Sequence, residues 1–156
     1  MLTADMMRVV REHRLGFVAT VTPDGSPSLS PKATFAVLDD ATIAFAEIRS
    51  PTTLRNLAVN PKVEVNFVDV FARRGCRVFG TARIVARDEP AFAELLPAFD
   101  VYSGLVPRMR ALVVIAVSRA LDVTSPAYDD GTTEEELRIA WTAHFRSIQP
   151  SGRFLD

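Results

Sequence analysis

One cysteine in 156 residues leaves Cys76 without an internal disulfide partner. Histidine is nearly as scarce. His13 and His144 stand far apart, neither with cysteine or histidine at metal-ligand spacing, so no zinc site is expected and each reads as a surface or packing residue. The longest apolar run, ALVVIAV at 111–117, is far too short to cross a bilayer and has the length of a buried strand. Neither sign of charge dominates: 18 basic against 19 acidic residues give a net charge of −1, so no global field draws the chain to nucleic acid or an anionic membrane. Any anion site must be local. The opening MLTADMMRVV lacks the apolar core of a signal peptide, which together with the single cysteine gives the expectation of a cytoplasmic protein. GxSxG, GxGxxG and GxxxxGK[ST] patterns are missing, which removes the motif-based case for a serine hydrolase, a dinucleotide fold or a phosphate-loop kinase.

What is present suits one domain with one sizeable core, since 48% of the residues are hydrophobic and 24% charged. Residues 4–14 pattern as a short amphipathic helix with an acidic start. GFVATVT (16–22), the turn PDGSP and the run SLSPKATFAVL then predict a β-hairpin, and DDA at 39–41 turns into TIAFAE. A helix opens at Ser50. KVEVNFVD (62–69) alternates, with Val63, Val65 and Phe67 on one face. CRVFGTARIVA reads as a long strand in which Gly80 marks a bulge or close backbone approach. Asp88 is expected to cap a helix carrying Pro90, Phe92, Leu95, Leu96 and Phe99, after which RALVVIAVSRAL returns to the sheet. The count is about six strands with small inserted helices: mainly β, a closed or split antiparallel barrel. Residues 1–121 form the barrel on this reading. Residues 122–156 form a loop and a helix, capped at Thr133 and acidic through Glu134–Glu136, which packs on the barrel or on a partner.

The chemistry concentrates in RSPTTLRNLAVNP (49–61). Ser50 reads as an N-cap and Pro51 as the first helical residue, where its missing N–H costs nothing. The free N–H groups and positive dipole end of such a helix make an anion seat, with Arg49, Thr52 and Thr53 around it. A well-capped helix bearing ordinary surface threonines fits the same residues. Alternation puts Ser30, Lys32 and Thr34 on one face of their strand, which suits either a ligand border or a solvated outer face. Arg73 and Arg74 precede the next long strand, and a barrel is expected to bring all of these basic and hydroxylated positions together on one anion. Arg74 and Arg77 flank Cys76 and would lower its thiol pKa, against the usual structural role of a strand cysteine.

The succession GFVATVTPDGSPSLSPKATF, RSPTTLRNLAVNPKVEVNF and RRGCRVFGTARI resembles the pyridoxamine 5'-phosphate oxidase-like superfamily of flavin-binding split β-barrels, over positions 6–120. The resemblance implies a six-stranded split barrel of the FMN-binding type and a homodimer with two flavins at the subunit interface. It would lay Ser30, Pro31 and Lys32, with Thr34 beyond them, along the isoalloxazine ring. Ser50, Thr52, Thr53 and Asn56 would surround the phosphate or support its loop, and Arg74 with Gly75 would approach the ring or ribityl chain. Trp141 would cover the partner's flavin or serve in dimer packing. Threonines stand at 52 and 53, where relatives often carry a cation, which shifts phosphate charge balance onto Lys32, Arg49, Arg55 or Arg74. The tail's RFLD and His144 do not map onto the family's vitamin B6 contacts. Three readings follow: an FMN-dependent oxidoreductase acting on a small molecule, with NAD(P)H as a possible donor; a flavin-storage or electron-transfer protein; or the same barrel holding deazaflavin or haem, haem being weakest for want of a placed axial histidine.

Overall fold

The computed structural model describes residues 1–149. Helix α1 (Ala4–His13) is capped by Thr3, whose hydroxyl accepts from the Met6 N–H at 3.2 Å. Strands β1 (Gly16–Val21) and β2 (Pro27–Lys32) form the first hairpin. Its turn places Gly25 at φ +87°, a conformation cheap only for glycine. Then come β3 (Phe35–Asp39), β4 (Thr42–Glu47), α2 (Pro51–Val59), β5 (Lys62–Asp69), β6 (Arg74–Ala86) and α3 (Pro90–Leu95). A run of 3-10 turns (Leu96–Arg108) leads to β7 (Ala111–Thr124), and α4 (Glu134–Ser147) follows.

Among the described residues there are therefore seven strands, not six. The extra strand arises inside SLSPKATFAVL, which the alternation presented as one strand. Ala33 and Thr34 leave the ladder, so the chain quits the sheet at one edge and re-enters at the other. The order is β2-β1-β5-β6-β7-β4-β3, with every pairing antiparallel. Pro31 is tolerated because β2 is an edge strand with only β1 beside it. Thr34 is tied to β4 instead: its hydroxyl donates to the Ala46 carbonyl at 2.8 Å, and the Ala46 N–H donates to the Thr34 carbonyl at 3.2 Å. Three Cα steps separate Lys32 from Phe35, so the two edges come within about 11 Å there. The sheet is curled but not a closed barrel, because covalent chain and no ladder joins β2 to β3.

The concave side holds Val18, Phe35, Ile43, Phe45, Val65, Phe67 and Ile115, closed at one end by Val9 and Val10 of α1. Phe35 meets Phe67 edge-on at 4.7 Å and tilts on Phe45 at 5.5 Å. Each such side chain, fully buried, contributes about 1.5–3 kcal/mol. A second cluster on the other side of β3, β4 and β7 joins Ala44, Ala46 and Leu112 to Phe92, Phe99 and Tyr102. Strand β4 is thus buried on both faces, and its alternation assigns Ile43, Phe45 and Glu47 to the inner one. That leaves an acid at the end of an apolar row.

Gly80 sits at a register shift between β6 and β7, where a Cβ would lie 2.4 Å from the Ala116 carbonyl oxygen; both expected features of that glycine are present. Asp88 does not cap α3. Glu89 holds that position, its carboxylate accepting from the Ala86 N–H and from Arg83, both at 2.8 Å. Strand β7 runs past residue 121 to Thr124 and stays paired with β6 to the end. Helix α4 carries the full capping box, Thr133 with Glu136. It packs back on its own chain, with Leu137 buried, Phe145 edge-on to Phe71 at 5.4 Å and Arg138 bonded to Asp69 at 2.7 Å. No helix among the described residues is long and apolar enough to cross a membrane. The RFLD segment lies outside the described residues.

Candidate functional site

Where the chain crosses the gap between sheet edges it leaves a cleft of about 320 Å³ between the β2–β3 link and the β4–α2 junction. Ser30, Pro31, Lys32, Thr34, Arg49 and Ser50 all line it, on a floor that includes Ala46 and Ile48. Half of the residues singled out from sequence therefore meet around one space. Lys32 is only 8% exposed, with its ammonium bonded to the Ser30 hydroxyl, 3.5 Å from the Pro31 carbonyl and 6.0 Å from the Phe45 ring centroid. Burial lowers its pKa below the usual lysine value, and the Glu47 charge pulls the other way. A half-dehydrated cation held by neutral acceptors is suited to an anion or an electron-rich ring edge.

Glu47 is the residue that sequence reasoning missed. It is 1% exposed; its Oε1 accepts from both the N–H and, at 3.3 Å, the hydroxyl of Ser50, while Oε2 has no partner among the described residues. Ser50 thus occupies the N-cap position without capping: its hydroxyl is turned toward Glu47 and makes no bond to the helix. The one signal available was an acid ending the apolar strand TIAFAE three residues before a helix start. Proline lacks an N–H at position 51, so the helix presents the N–H groups of Thr52 and Thr53, which have no partner among the described residues. Thr52 is exposed and accepts from Arg55 at 3.0 Å. Thr53 is buried, as is Asn56, whose amide donates to the Thr20 hydroxyl at 2.9 Å and moors α2 to β1. In this chain Asn56 supports the site's helix from behind.

The expected convergence on one anion does not extend to Arg73 and Arg74, which lie in a separate place with the remaining candidates. Arg74 lines a cleft of about 420 Å³ with Arg73, Val123 and Thr124, and is paired with Asp5 at 3.0 Å and Glu134 at 3.3 Å. Gly75 is required by strand packing: a Cβ there would fall 1.9 Å from the Phe67 carbonyl oxygen. Trp141 lies under the Arg73 guanidinium at 4.0 Å and meets His144 edge-on at 5.2 Å. Neither Arg74 nor Trp141 lines the first cleft within one chain. Cys76 is fully buried, and burial pushes its thiol up to about 12, opposite to the activation that the neighbouring arginines suggested. His13 reaches the buried Asp69 at 3.2 Å and serves packing, not a cleft.

A family profile described as Pyridoxamine 5'-phosphate oxidase matches residues 2–124, the whole curled sheet. The chain belongs to this family. HupZ of Group A Streptococcus is 32% identical over 80% of this chain and 96% of its own, with a TM-score of 0.69. Two more distant members of the fold carry different names. An FMN-binding protein from Syntrophomonas wolfei is 16% identical over 78% of this chain and 86% of its own, TM-score 0.62. A protein named F420 reductase is 23% identical over 77% of this chain and 98% of its own, TM-score 0.59. No curated protein matches the chain. Family membership thus accounts for the antiparallel sheet and short helices, and its structural neighbours include proteins named for two different flavin-type ligands.

Proposed function

We propose that this chain is an FMN-binding oxidoreductase which passes hydride or electrons between a small-molecule substrate and its flavin. The observation that carries the reading is the cleft at the sheet gap: the buried Lys32, the hydroxyls of Ser30, Thr34 and Ser50, and Arg49 stand beside a helix start with two free N–H groups. These residues fit the cofactor. Thr52 and Thr53 N–H groups with Arg49 and Arg55 would hold its phosphate, and Lys32 would face the electron-rich edge of the ring. Glu47 limits that fit, since its carboxylate already uses the Ser50 N–H and adds negative charge at the helix start. Bound flavin supplies the hydride and electron chemistry, so the protein need not provide an acid or base. What Lys32 does is electrostatic: a preorganised cation stabilises the anion formed on reduction.

In this reading the active form is a homodimer, with Arg74 and Trp141 of one subunit closing the cleft of the other. Support comes from the outer face of β1 and β2, where Phe17, Val21 and Leu29 are exposed together. The fold neighbour named F420 reductase favours one alternative, a deazaflavin in the same cleft. Lys32→Met tests the assignment. Flavin affinity should fall about tenfold or the bound flavin's potential should drop, in keeping with loss of one charge-assisted contact. A variant with wild-type affinity and potential would remove Lys32 from the site.

A further inference from the structure

Strands β4, β7 and β6 end side by side, with Glu47 opposite Ala111 and Ala111 opposite Ala86. Residues just outside these ends must therefore emerge together, and they are Arg49, Arg110 and Arg87. Arg110 is pinned there by its N–H, which donates to the Glu47 carbonyl at 2.8 Å. The end of the 3-10 run adds Arg108. The four arginines line a cleft of about 450 Å³ floored by Ile48 and the buried Met109. Arg87 is held in place by the carbonyls of Val106 at 2.9 Å and Met109 at 2.5 Å, and lies 5.4 Å over the Phe92 ring. No acid lines the cleft, and none of the four makes an ion pair among the described residues. In a chain of net charge −1, elsewhere rich in arginine–carboxylate pairs, four unneutralised guanidinium groups repel one another and call for an anion.

We infer that this cleft binds a diphosphate group of the co-substrate that exchanges electrons with the flavin, an inference that rests on the reading above. Two linked phosphoryl groups carry more charge and span more of a four-arginine cleft than a single phosphate, and their terminal oxygens can engage several planar guanidinium forks at once. The cleft adjoins the first one through Ile48 and Arg49, which line both, so a molecule anchored here extends toward Lys32 and Ser50. The flavin's own phosphate has a different seat, the Thr52 and Thr53 N–H groups with Arg49 and Arg55, which leaves Arg87, Arg108 and Arg110 to the diphosphate and Arg49 at the boundary of the two clefts.

The test is calorimetric titration of inorganic pyrophosphate into FMN-loaded wild type and into the double variant Arg108→Gln/Arg110→Gln, with FMN affinity measured beside it. Wild type should bind pyrophosphate in the presence of FMN, and the double variant should bind it about tenfold or more weakly with unchanged FMN affinity. Equal pyrophosphate affinity in both proteins overturns the inference. So does competition between pyrophosphate and FMN, or weakened FMN binding in the variant, either of which would give the cleft to the flavin's phosphate. Failure of FMN uptake overturns the parent reading, whereas FMN uptake without pyrophosphate binding overturns this inference alone.

Discussion

Glu47 offers the sharpest test of how the site is built, because its two oxygens are in opposite situations. Oε1 satisfies the Ser50 N–H and hydroxyl, whereas Oε2 is buried without a partner. Glu47→Ala strips Ser50 of its acceptor, a loss of about 1–3 kcal/mol for a buried donor left unpaired. Truncating the side chain forfeits roughly 1 kcal/mol more in packing. Against this, the unpartnered buried charge disappears, a relief of similar size to the first loss. The net expectation is a destabilisation of about 1–2 kcal/mol. Glu47→Gln keeps an acceptor for Ser50 and replaces the anion with a neutral amide, so its stability should lie within about 1 kcal/mol of wild type. Urea denaturation of both variants, compared at constant m, reads these values. If Glu47→Gln is as unstable as Glu47→Ala, the negative charge itself is needed, and Lys32 depends on it. The reasoning from hydrogen bonds would then be refuted.

Gly75→Ala sets a Cβ against the Phe67 carbonyl, backbone against backbone, and should cost about 3 kcal/mol or more in urea without any ligand present. A variant of normal stability that has lost flavin binding would show that Gly75 serves the ligand and not the ladder. Asp69 gives a pH dependence. Burial pushes its pKa up, but the Ala72 N–H, Arg138 and His13 together hold it below the usual value. A depressed folded pKa contributes stability that is complete above the unfolded carboxylate value, about 3.9, and is lost as pH falls through the folded value. Asp69→Asn should therefore flatten the acid limb of stability between about pH 4 and pH 2, measured by urea midpoints, and an unchanged limb would contradict the network. Cys76 should resist thiol reagents in the native protein at pH 8 and react once unfolded, as expected of a buried thiol near 12; rapid native labelling would show that β6 opens.

The turn chemistry of PDGSP and DDA, the alternation of KVEVNFVD and the capping box at Thr133 each led to the element observed, because in those segments local propensity and burial agree. The break in SLSPKATFAVL was illegible for a definite reason. Ser30, Lys32 and Thr34 alternate as polar residues straight through the link and so hide a one-residue slip: Ser30 and Lys32 share the inner face with Val18 and Gly16, whereas beyond the link Phe35 and Val37 face inward opposite Phe45 and Ile43. The gathering of Ser30, Lys32, Thr34, Arg49 and Ser50 was readable from hydroxyl and cation placement, but the same grounds put Arg73 and Arg74 with them, and these line a different cleft. Glu47 was not readable, since a strand-ending acid ordinarily faces water. Asp88 is the better cap by residue type, yet α3 opens one residue later, at Glu89, whose carboxylate is turned back to the Ala86 N–H and makes no bond to the helix.

The proposal that the cleft at the sheet gap takes a flavin has a simple optical check. Visible absorption of the purified protein is recorded first, followed by denaturation and mass identification of any released chromophore. The two bands of oxidised flavin are expected, either as purified or after adding FMN, with FMN released at about one per chain. A colourless protein that takes up no added FMN would contradict the proposal; the release of a deazaflavin in place of FMN would keep the cleft and overturn the choice of cofactor.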